Sequence, residues 1–216
     1  MAVFIAACFD LDGTLIDTEP IHISAENECL ETFGIDLKAS HRPRTFGMGI
    51  ESGMKTLAEL FELEFTTVLK TYVPLWEKGL QSNLKVLPGV SAVLSWLSDH
   101  DIPLALVTSG DSVYVDLVDS VLNLKQEFGA IVTSESVQRL KPDPAPYLEA
   151  ARRLGVDPRG CIGFEDSGSG VMALNSAMMF SVAVHPAHES RPELHKAGMR
   201  VETLDAVEPY LASWFE

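Results

Sequence analysis

Short apolar runs alternate with stretches of helical periodicity along most of the chain. Five runs have the length of a buried strand: 3–9, 103–108, 130–133, 161–164 and 179–184. Between them, four segments carry apolar residues at three- and four-residue spacing, as helices packed on a sheet do: 91–97, 112–122, 145–154 and 170–177. This alternation predicts an α/β fold with a Rossmann-like, doubly wound parallel sheet, which binds ligands at the carboxyl ends of its strands.

The longest interruption of this pattern follows the first strand. About seventy residues show helical periodicity and no strand pattern, far more than a single crossover requires. We interpret residues 15–87 as an inserted all-helical cap domain, with residues 1–14 and 88–216 forming the core. Pro88 and Gly89 mark the return of the chain to the core.

Composition and charge narrow the range of partners. The chain has 216 residues, of which 46% are hydrophobic, and a formal net charge of −15. Lys and Arg are too scarce to favour nucleic acid or an anionic membrane as a partner. The three cysteines, Cys8, Cys29 and Cys161, are scattered among apolar residues, which predicts buried reduced thiols rather than disulfides or a zinc site. With no secretory signal pattern, we expect a cytoplasmic protein.

Acidic residues follow two of the predicted strands. Asp10 and Asp12 come directly after the first strand and precede a turn at Gly13, and Glu165 and Asp166 follow the strand 161–164. An acidic turn alone would explain the first pair equally well. If the two strands are neighbours, however, four carboxylates meet at one edge and require a cation. Hard oxygen ligands with room for water and phosphate favour Mg²⁺.

Further polar residues stand where they would meet an anion. Thr108 and Ser109 end the second strand before a helix and offer hydroxyls and free backbone N–H groups, although helix capping is the commoner role of such residues. Lys141 lies between a loop and a helix, beside Pro142. A lone lysine is usually a surface charge, but this one is the evident positive partner for a carboxylate or a phosphoryl group.

Two other patterns have simpler interpretations. Residues 168–173 match Gly-x-Gly-x-x-Ala, but Glu165 and Asp166 lie where a dinucleotide pyrophosphate would bind. We expect Met172, Met178 and Met179 to fill the core.

Four separated motifs resemble, in order, those of the haloacid dehalogenase superfamily: Asp10-Leu11-Asp12-Gly13-Thr14, Thr108, Lys141 and Glu165-Asp166. The resemblance covers essentially the whole chain, and the insertion is similar to the helical cap of the β-phosphoglucomutase-like branch. It implies a Mg²⁺-dependent phosphatase that hydrolyses small phosphomonoesters, chiefly sugar phosphates.

The same resemblance assigns roles in the reaction. Asp10 is the nucleophile that accepts the phosphoryl group, and Asp12 protonates the leaving oxygen and later activates water. Thr108, Ser109 and Lys141 hold the phosphoryl group.

The resemblance also implies a metal site and cap contacts. Mg²⁺ is bound by the Asp10 carboxylate, the Asp12 backbone carbonyl and Asp166, while Glu165 supports a metal-bound water. In the cap, His22 and Glu19 are candidates to bind the substrate, although a packing or solvated role is commoner for such residues.

Other functions stay open at this point. A phosphomutase resembling β-phosphoglucomutase would need a cap arginine, and an ungapped count through residues 47–49 puts Ile50 at that position. Dehalogenase and phosphonoacetaldehyde hydrolase chemistry are disfavoured because Asp12 is present, even though Lys55 invites a Schiff-base proposal. A non-catalytic module that binds metal or phosphate is a third alternative. The sequence leaves the physiological substrate, the regulation and the oligomeric state open, a monomer being plausible.

Overall fold

The structure is a computed structural model that describes residues 4–36 and 50–215. The chain divides into two compact units, one formed by residues 1–17 and 85–216 and the other by residues 18–84. The boundaries fall at Asp17 and Lys85, a few residues inside the insertion proposed from the sequence.

The first unit is built on a six-stranded parallel sheet. Its strands are β1 (Ala6–Phe9), β2 (Leu104–Val107), β3 (Ala130–Val132), β4 (Cys161–Glu165), β5 (Phe180–Val184) and β6 (Met199–Val201). Their order is β3-β2-β1-β4-β5-β6, and every neighbouring pair is parallel. The predicted doubly wound α/β fold is confirmed, and β6 is an additional strand that the sequence pattern missed.

The strand order reverses at β1, which pairs with β2 on one side and with β4 on the other. Ala7 lies opposite Leu104 and Ile162, and Phe9 lies opposite Leu106 and Phe164. All four residues of β1 are buried because helices cover both faces of such a sheet. Ligands of open α/β sheets bind outside the strands' carboxyl ends at this reversal.

The helices of the first unit follow the predicted rhythm. They are α4 (Val90–Asp99), α5 (Ser112–Leu122), α6 (Ala145–Leu154), α7 (Gly168–Ser176) and the short α8 (Leu211–Phe215). The α6 helix contacts β1, β2 and β3, while α7 contacts β4 and β5. Buried Ala150, Ala151, Ala173 and Leu174 bring these two helices close to the sheet.

The second unit consists of helices α1 (Glu19–Glu31), α2 (Ile50–Leu60) and α3 (Phe65–Asn83). Both α1 and α2 pack on α3. Tyr72 and Leu80 of α3 are fully buried, and a Cβ at Gly79 would lie 2.6 Å from Cγ2 of Ile21, so α1 and α3 approach closely there. Residues 37–49, which include the segment used for the mutase comparison, lie outside the described residues.

Cys8, Cys29 and Cys161 are buried and carry no disulfide, as predicted. Within the part of the chain that the structure describes, no helix combines the length and apolarity that crossing a membrane requires.

Candidate active site

The candidate site begins where β1 and β4 end side by side. Asp10 follows β1, and its backbone N–H donates a hydrogen bond of 3.0 Å to the carbonyl of Phe164 in β4. Glu165 ends β4, and Asp166 follows it. Asp10 is 7% exposed and Glu165 is fully buried, so the sheet holds two carboxylates away from water at one edge.

Lys141 is inserted between these acids. Its Nζ donates hydrogen bonds to Asp10 Oδ1 at 2.5 Å, to Glu165 Oε1 at 2.7 Å and to the carbonyl of Val107 at 2.9 Å. The side chain is only 4% exposed. An ammonium group has three N–H donors, and here each has an acceptor, so the buried charge is fully hydrogen-bonded.

Glu165 is held by several donors. The Tyr147 hydroxyl donates to its Oε1 at 2.9 Å, and the backbone N–H and hydroxyl of Ser167 donate to its Oε2 at 3.0 and 2.8 Å. A Cβ at Gly170 would lie 1.8 Å from the carboxyl carbon of Glu165. Glycine is therefore required there by the space that the carboxylate occupies, which explains part of the Gly-x-Gly pattern without a nucleotide.

Three of the acids form a cluster suited to a cation. Carboxylate oxygens of Asp10, Glu165 and Asp166 lie within 4.8 Å of one another. A Cβ at Gly13, where φ is +78°, would lie 2.3 Å from Oδ2 of Asp166, so both the backbone conformation and the space require glycine. The donor set is all oxygen, which fits Mg²⁺.

The charges in the cluster shift its protonation equilibria. Burial, and then the charge of Glu165, raise the pKa of Asp10 well above its ordinary value despite the opposing effect of Lys141. The same two causes raise the pKa of Asp166 to about 7. Burial alone would lower the pKa of Lys141, but Asp10 and Glu165 raise it. One ammonium does not balance these carboxylates, so a further positive charge would favour their ionised forms.

The turn after β2 brings Thr108 and Ser109 to the same edge of the sheet. The backbone N–H of Thr108 donates to the carbonyl of Val132 at 3.0 Å, and its hydroxyl accepts from the N–H of Gly110 at 3.0 Å. Thr108 is 3% exposed, whereas Ser109 is exposed. The Thr108 hydroxyl is thus fixed at a strand end, while Ser109 faces solvent.

Asp12 stands apart from the three clustered acids. The hydroxyl of Tyr114, in the first turn of α5, donates a hydrogen bond to Oδ1 of Asp12. This separates the two acids of the Asp10-x-Asp12 pair: one faces Lys141, and the other is hydrogen-bonded to a tyrosine.

The remaining sequence candidates, His22 and Glu19, belong to the unit formed by residues 18–84. His22 Nδ1 lies 2.5 Å from the Tyr72 hydroxyl, and its ring stacks on Trp76 with centroids 5.5 Å apart. Glu19 is exposed in the first turn of α1.

Three residues that contact the site acids were not singled out from the sequence. Tyr147 and Tyr114 occupy helix positions where an aromatic residue is usually explained by packing, so the sequence pattern did not indicate that either contacts the site. Ser167 could have been found, because a serine directly before a helix is a typical N-cap. Its hydroxyl does accept a hydrogen bond of 3.0 Å from the backbone N–H of Gly170.

Comparison with known proteins places this geometry in a family. A family model described as haloacid dehalogenase-like hydrolase matches residues 7–184. Hexitol phosphatase B of Escherichia coli strain K12 is 28% identical over 93% of this chain and 92% of its own. The phosphorylated carbohydrates phosphatase of Thermotoga maritima is 34% identical over 80% and 81% of the two chains.

A solved structure has the same fold. The crystal structure of β-phosphoglucomutase from Clostridium difficile superposes with a TM-score of 0.79 at 25% identity, covering 99% of this chain and 97% of that one. The matched region of the family contains all the site residues of the α/β unit, from Asp10 to Asp166. The chain belongs to the haloacid dehalogenase-like hydrolase family.

Proposed function

We propose that the protein is a Mg²⁺-dependent phosphatase that hydrolyses small phosphomonoesters, chiefly sugar phosphates, through an aspartyl-phosphate on Asp10. The observation that carries this proposal is the buried Asp10 carboxylate, which lies 2.5 Å from Lys141 Nζ and within an oxygen cluster that includes Asp166. A nucleophile, a fixed positive charge and a metal-binding set thus stand at one point.

In the first half of the reaction, a carboxylate oxygen of Asp10 attacks phosphorus, and the bond from phosphorus to the ester oxygen breaks. The leaving oxygen takes a proton from the carboxyl group of Asp12 and departs as an alcohol. An alkoxide is a poor leaving group, so this proton transfer lowers the barrier. The product on the enzyme is an acyl phosphate.

In the second half, the carboxylate of Asp12 accepts a proton from water as the water oxygen attacks phosphorus. The bond between phosphorus and the Asp10 oxygen breaks, which regenerates the carboxylate and releases inorganic phosphate. Asp12 has regained the proton that it gave, so the cycle closes with one water consumed.

Binding of the phosphoryl group falls to the cations and donors around Asp10. Lys141 neutralises charge on the phosphoryl oxygens, and Thr108 and Ser109 donate hydrogen bonds to them. When bound by Asp10, Asp166 and the backbone carbonyl of Asp12, Mg²⁺ supplies the additional positive charge that phosphoryl transfer requires. Glu165 orients Lys141 and supports the metal site without reacting.

The substrate class rests on the relatives, whose names include a hexitol phosphatase and a phosphatase of phosphorylated carbohydrates. The helical unit formed by residues 18–84 serves as the cap that selects among such substrates, and His22 and Glu19 are its candidate substrate-binding residues. A mutase is the second candidate, because β-phosphoglucomutase shares the fold at 25% identity.

The test is phosphate release from a panel of sugar phosphates and other phosphomonoesters, with and without Mg²⁺. Conversion of β-glucose 1-phosphate to glucose 6-phosphate is followed in parallel, and Asp10→Asn is the inactive control. Mg²⁺-dependent release confined to a few sugar phosphates supports the phosphatase. Isomer conversion without release identifies a mutase instead, and release that survives Asp10→Asn contradicts the mechanism.

A further inference from the structure

Tyr114 is fixed in place by the start of α5. The side chain of Asp111 precedes the helix and accepts a hydrogen bond of 2.8 Å from the backbone N–H of Tyr114. This N-cap determines where the helix begins, and therefore the direction in which the Tyr114 side chain leaves it. The residue lies in the first helical turn after the loop that carries Thr108 and Ser109.

The ring of Tyr114 lies against the backbone of Gly110. A Cβ at Gly110 would come within 2.2 Å of Tyr114 Cδ1 and 3.0 Å of Cε1, so any larger residue would displace the ring. The absence of a side chain at residue 110 thus makes room for the ring beside the loop that follows β2. A tyrosine has few rotatable bonds, so this contact largely fixes its hydroxyl.

The hydroxyl reaches from this loop to the end of the neighbouring strand. It donates a hydrogen bond to Oδ1 of Asp12, which follows β1, and β1 pairs with β2 in the sheet. Hydrogen bonds to a charged acceptor are stronger than neutral ones. The bond therefore restrains rotation of the Asp12 carboxylate about its side-chain bonds.

We propose that Tyr114 is a positioning residue that holds the Asp12 carboxylate where it can transfer protons. This inference rests on the proposed role of Asp12 as the acid and base of the reaction. Proton transfer requires an approach of about 2.6–3.2 Å between heavy atoms, so a carboxylate that rotates away is inactive. Because Asp12 acts in both halves of the reaction, the Tyr114 hydroxyl assists both.

The proposal predicts a specific kinetic pattern for Tyr114→Phe. The variant retains the ring against Gly110 but lacks the hydroxyl, so folding should be unchanged by circular dichroism and thermal unfolding. With sugar phosphates, kcat should fall about tenfold while KM stays within about twofold, since the lost bond is to a charged group that acts after binding. Tyr210→Phe is the matched control, because Tyr210 is 44% exposed and stacks on Trp214.

The decisive experiment uses p-nitrophenyl phosphate and a double-mutant cycle. The leaving group of p-nitrophenyl phosphate departs without a proton, so transfer of the phosphoryl group to the enzyme does not require the acid. Rapid mixing should therefore give a burst of p-nitrophenolate, followed by a slow phase whose rate reports hydrolysis of the phospho-enzyme. The slow phase is compared in the wild type, Tyr114→Phe, Asp12→Asn and the double variant. If Tyr114 acts through Asp12, the double variant should be no more than about twofold slower than Asp12→Asn.

The outcomes separate the inference from the mechanism on which it rests. An unaltered slow phase in Asp12→Asn would show that Asp12 does not activate water in phospho-enzyme hydrolysis, and would overturn that part of the mechanism together with the inference that Tyr114 assists it. A slow phase reduced by Asp12→Asn but not by Tyr114→Phe would overturn the inference alone. So would equal slowing by Tyr114→Phe in both backgrounds, because the tyrosine would then act independently of Asp12.

Discussion

Lys141 Nζ lies 2.5 Å from Asp10 Oδ1, although 131 positions separate the two residues in the sequence. The same nitrogen lies 2.7 Å from Oε1 of Glu165, so one buried ammonium joins the acids at the ends of β1 and β4. The parallel sheet brings these side chains together because their strands end at the same edge.

Replacing Lys141 should affect both stability and activity. In Lys141→Met, the carboxylates of Asp10 and Glu165 lose their buried partner, and we expect a loss of about 3 kcal/mol in the free energy of unfolding without metal. Phosphate release should fall by at least about 100-fold, since the proposed phosphoryl site loses its fixed positive charge. Urea unfolding in a chelator and a phosphate-release assay measure the two effects.

The matched control is Lys125→Met. Lys125 pairs with Asp116 at 2.6 Å, but the two side chains are 38% and 66% exposed. Solvent screens such pairs, so this variant should change stability little and leave phosphate release intact. Equal effects of the two substitutions would show that burial of the Lys141 site is unimportant.

The stability of the metal-free protein should depend on pH through Asp166. Its pKa is raised to about 7 by burial and by Glu165, so the folded chain retains a proton that the unfolded chain has lost. This contribution to stability is present below about pH 4 and is lost as the pH rises through about 7. Mg²⁺ requires the ionised carboxylate, so it should raise Tm more at about pH 8 than at about pH 5.

Asp166→Asn isolates this effect, because the amide keeps the shape of the side chain and does not titrate. Thermal unfolding of both proteins should be recorded at each pH, with a chelator and with Mg²⁺. As the pH rises from about 4 through about 7, the stability of the variant should fall less than that of the wild type, because residue 166 no longer titrates. Mg²⁺ should also stabilise the variant much less than it stabilises the wild type. A variant that Mg²⁺ stabilises as well as it does the wild type would remove Asp166 from the metal site.

Gly170→Ala tests the close contact between α7 and Glu165. The new methyl group would lie 1.8 Å from the Glu165 carboxyl carbon, which would have to move and lose donors such as Ser167. Overpacking of this kind should lower the free energy of unfolding by about 1–3 kcal/mol and reduce activity. Gly129→Ala is the control: the new Cβ would lie 3.5 Å from the nearest atom, so the free energy of unfolding should change little. Chemical denaturation of the two variants measures the difference, and equal stability of both would contradict a tight contact at Gly170.

Met178→Gly should stabilise the protein. Met178 follows α7 with φ of 62°, a left-handed conformation that is unfavourable for residues with a Cβ atom but favourable for glycine. Its side chain is 56% exposed, so its removal should cost little packing. The relief exceeds the added entropy of the unfolded chain, and we expect a gain of about 0.5–1 kcal/mol. Met172→Gly, at an exposed position inside α7, should instead destabilise by about 1 kcal/mol, and a gain there would contradict the explanation.

Regular patterns made much of the fold predictable from the sequence. Buried parallel strands are continuous apolar runs, so the sequence pattern located all strands from β1 to β5. Because parallel strands end at one edge of the sheet, the pattern also indicated that the polar residues after these strands lie at that edge. The strand β6 was missed because it has three residues and Arg200 in its middle is exposed. Met172 and Met178 were wrongly expected in the core: both are exposed, and of the three methionines only Met179 is buried.

The site was predictable where its residues follow strands and not where they project from helices. Asp10, Glu165 and Asp166 stand at strand ends, and topology alone brings them together. Tyr147 and Tyr114 project from α6 and α5, where hydrophobic periodicity accounts for an aromatic residue and gives no sign of a hydrogen bond to an acid. The direction in which a side chain leaves a helix depends on the helix cap and on neighbouring residues such as Gly110. Only the folded structure shows these contacts.

The most direct test of the central claim is to trap the phosphoryl group on the protein. Asp12→Asn, which should slow hydrolysis of the acyl phosphate, is mixed with p-nitrophenyl phosphate and Mg²⁺, quenched with borohydride and digested for peptide mass spectrometry. We predict that the reduced product, homoserine, appears at residue 10 and disappears in Asp10→Asn/Asp12→Asn. Phosphate release with no modification at residue 10, or modification of another residue, would contradict the account.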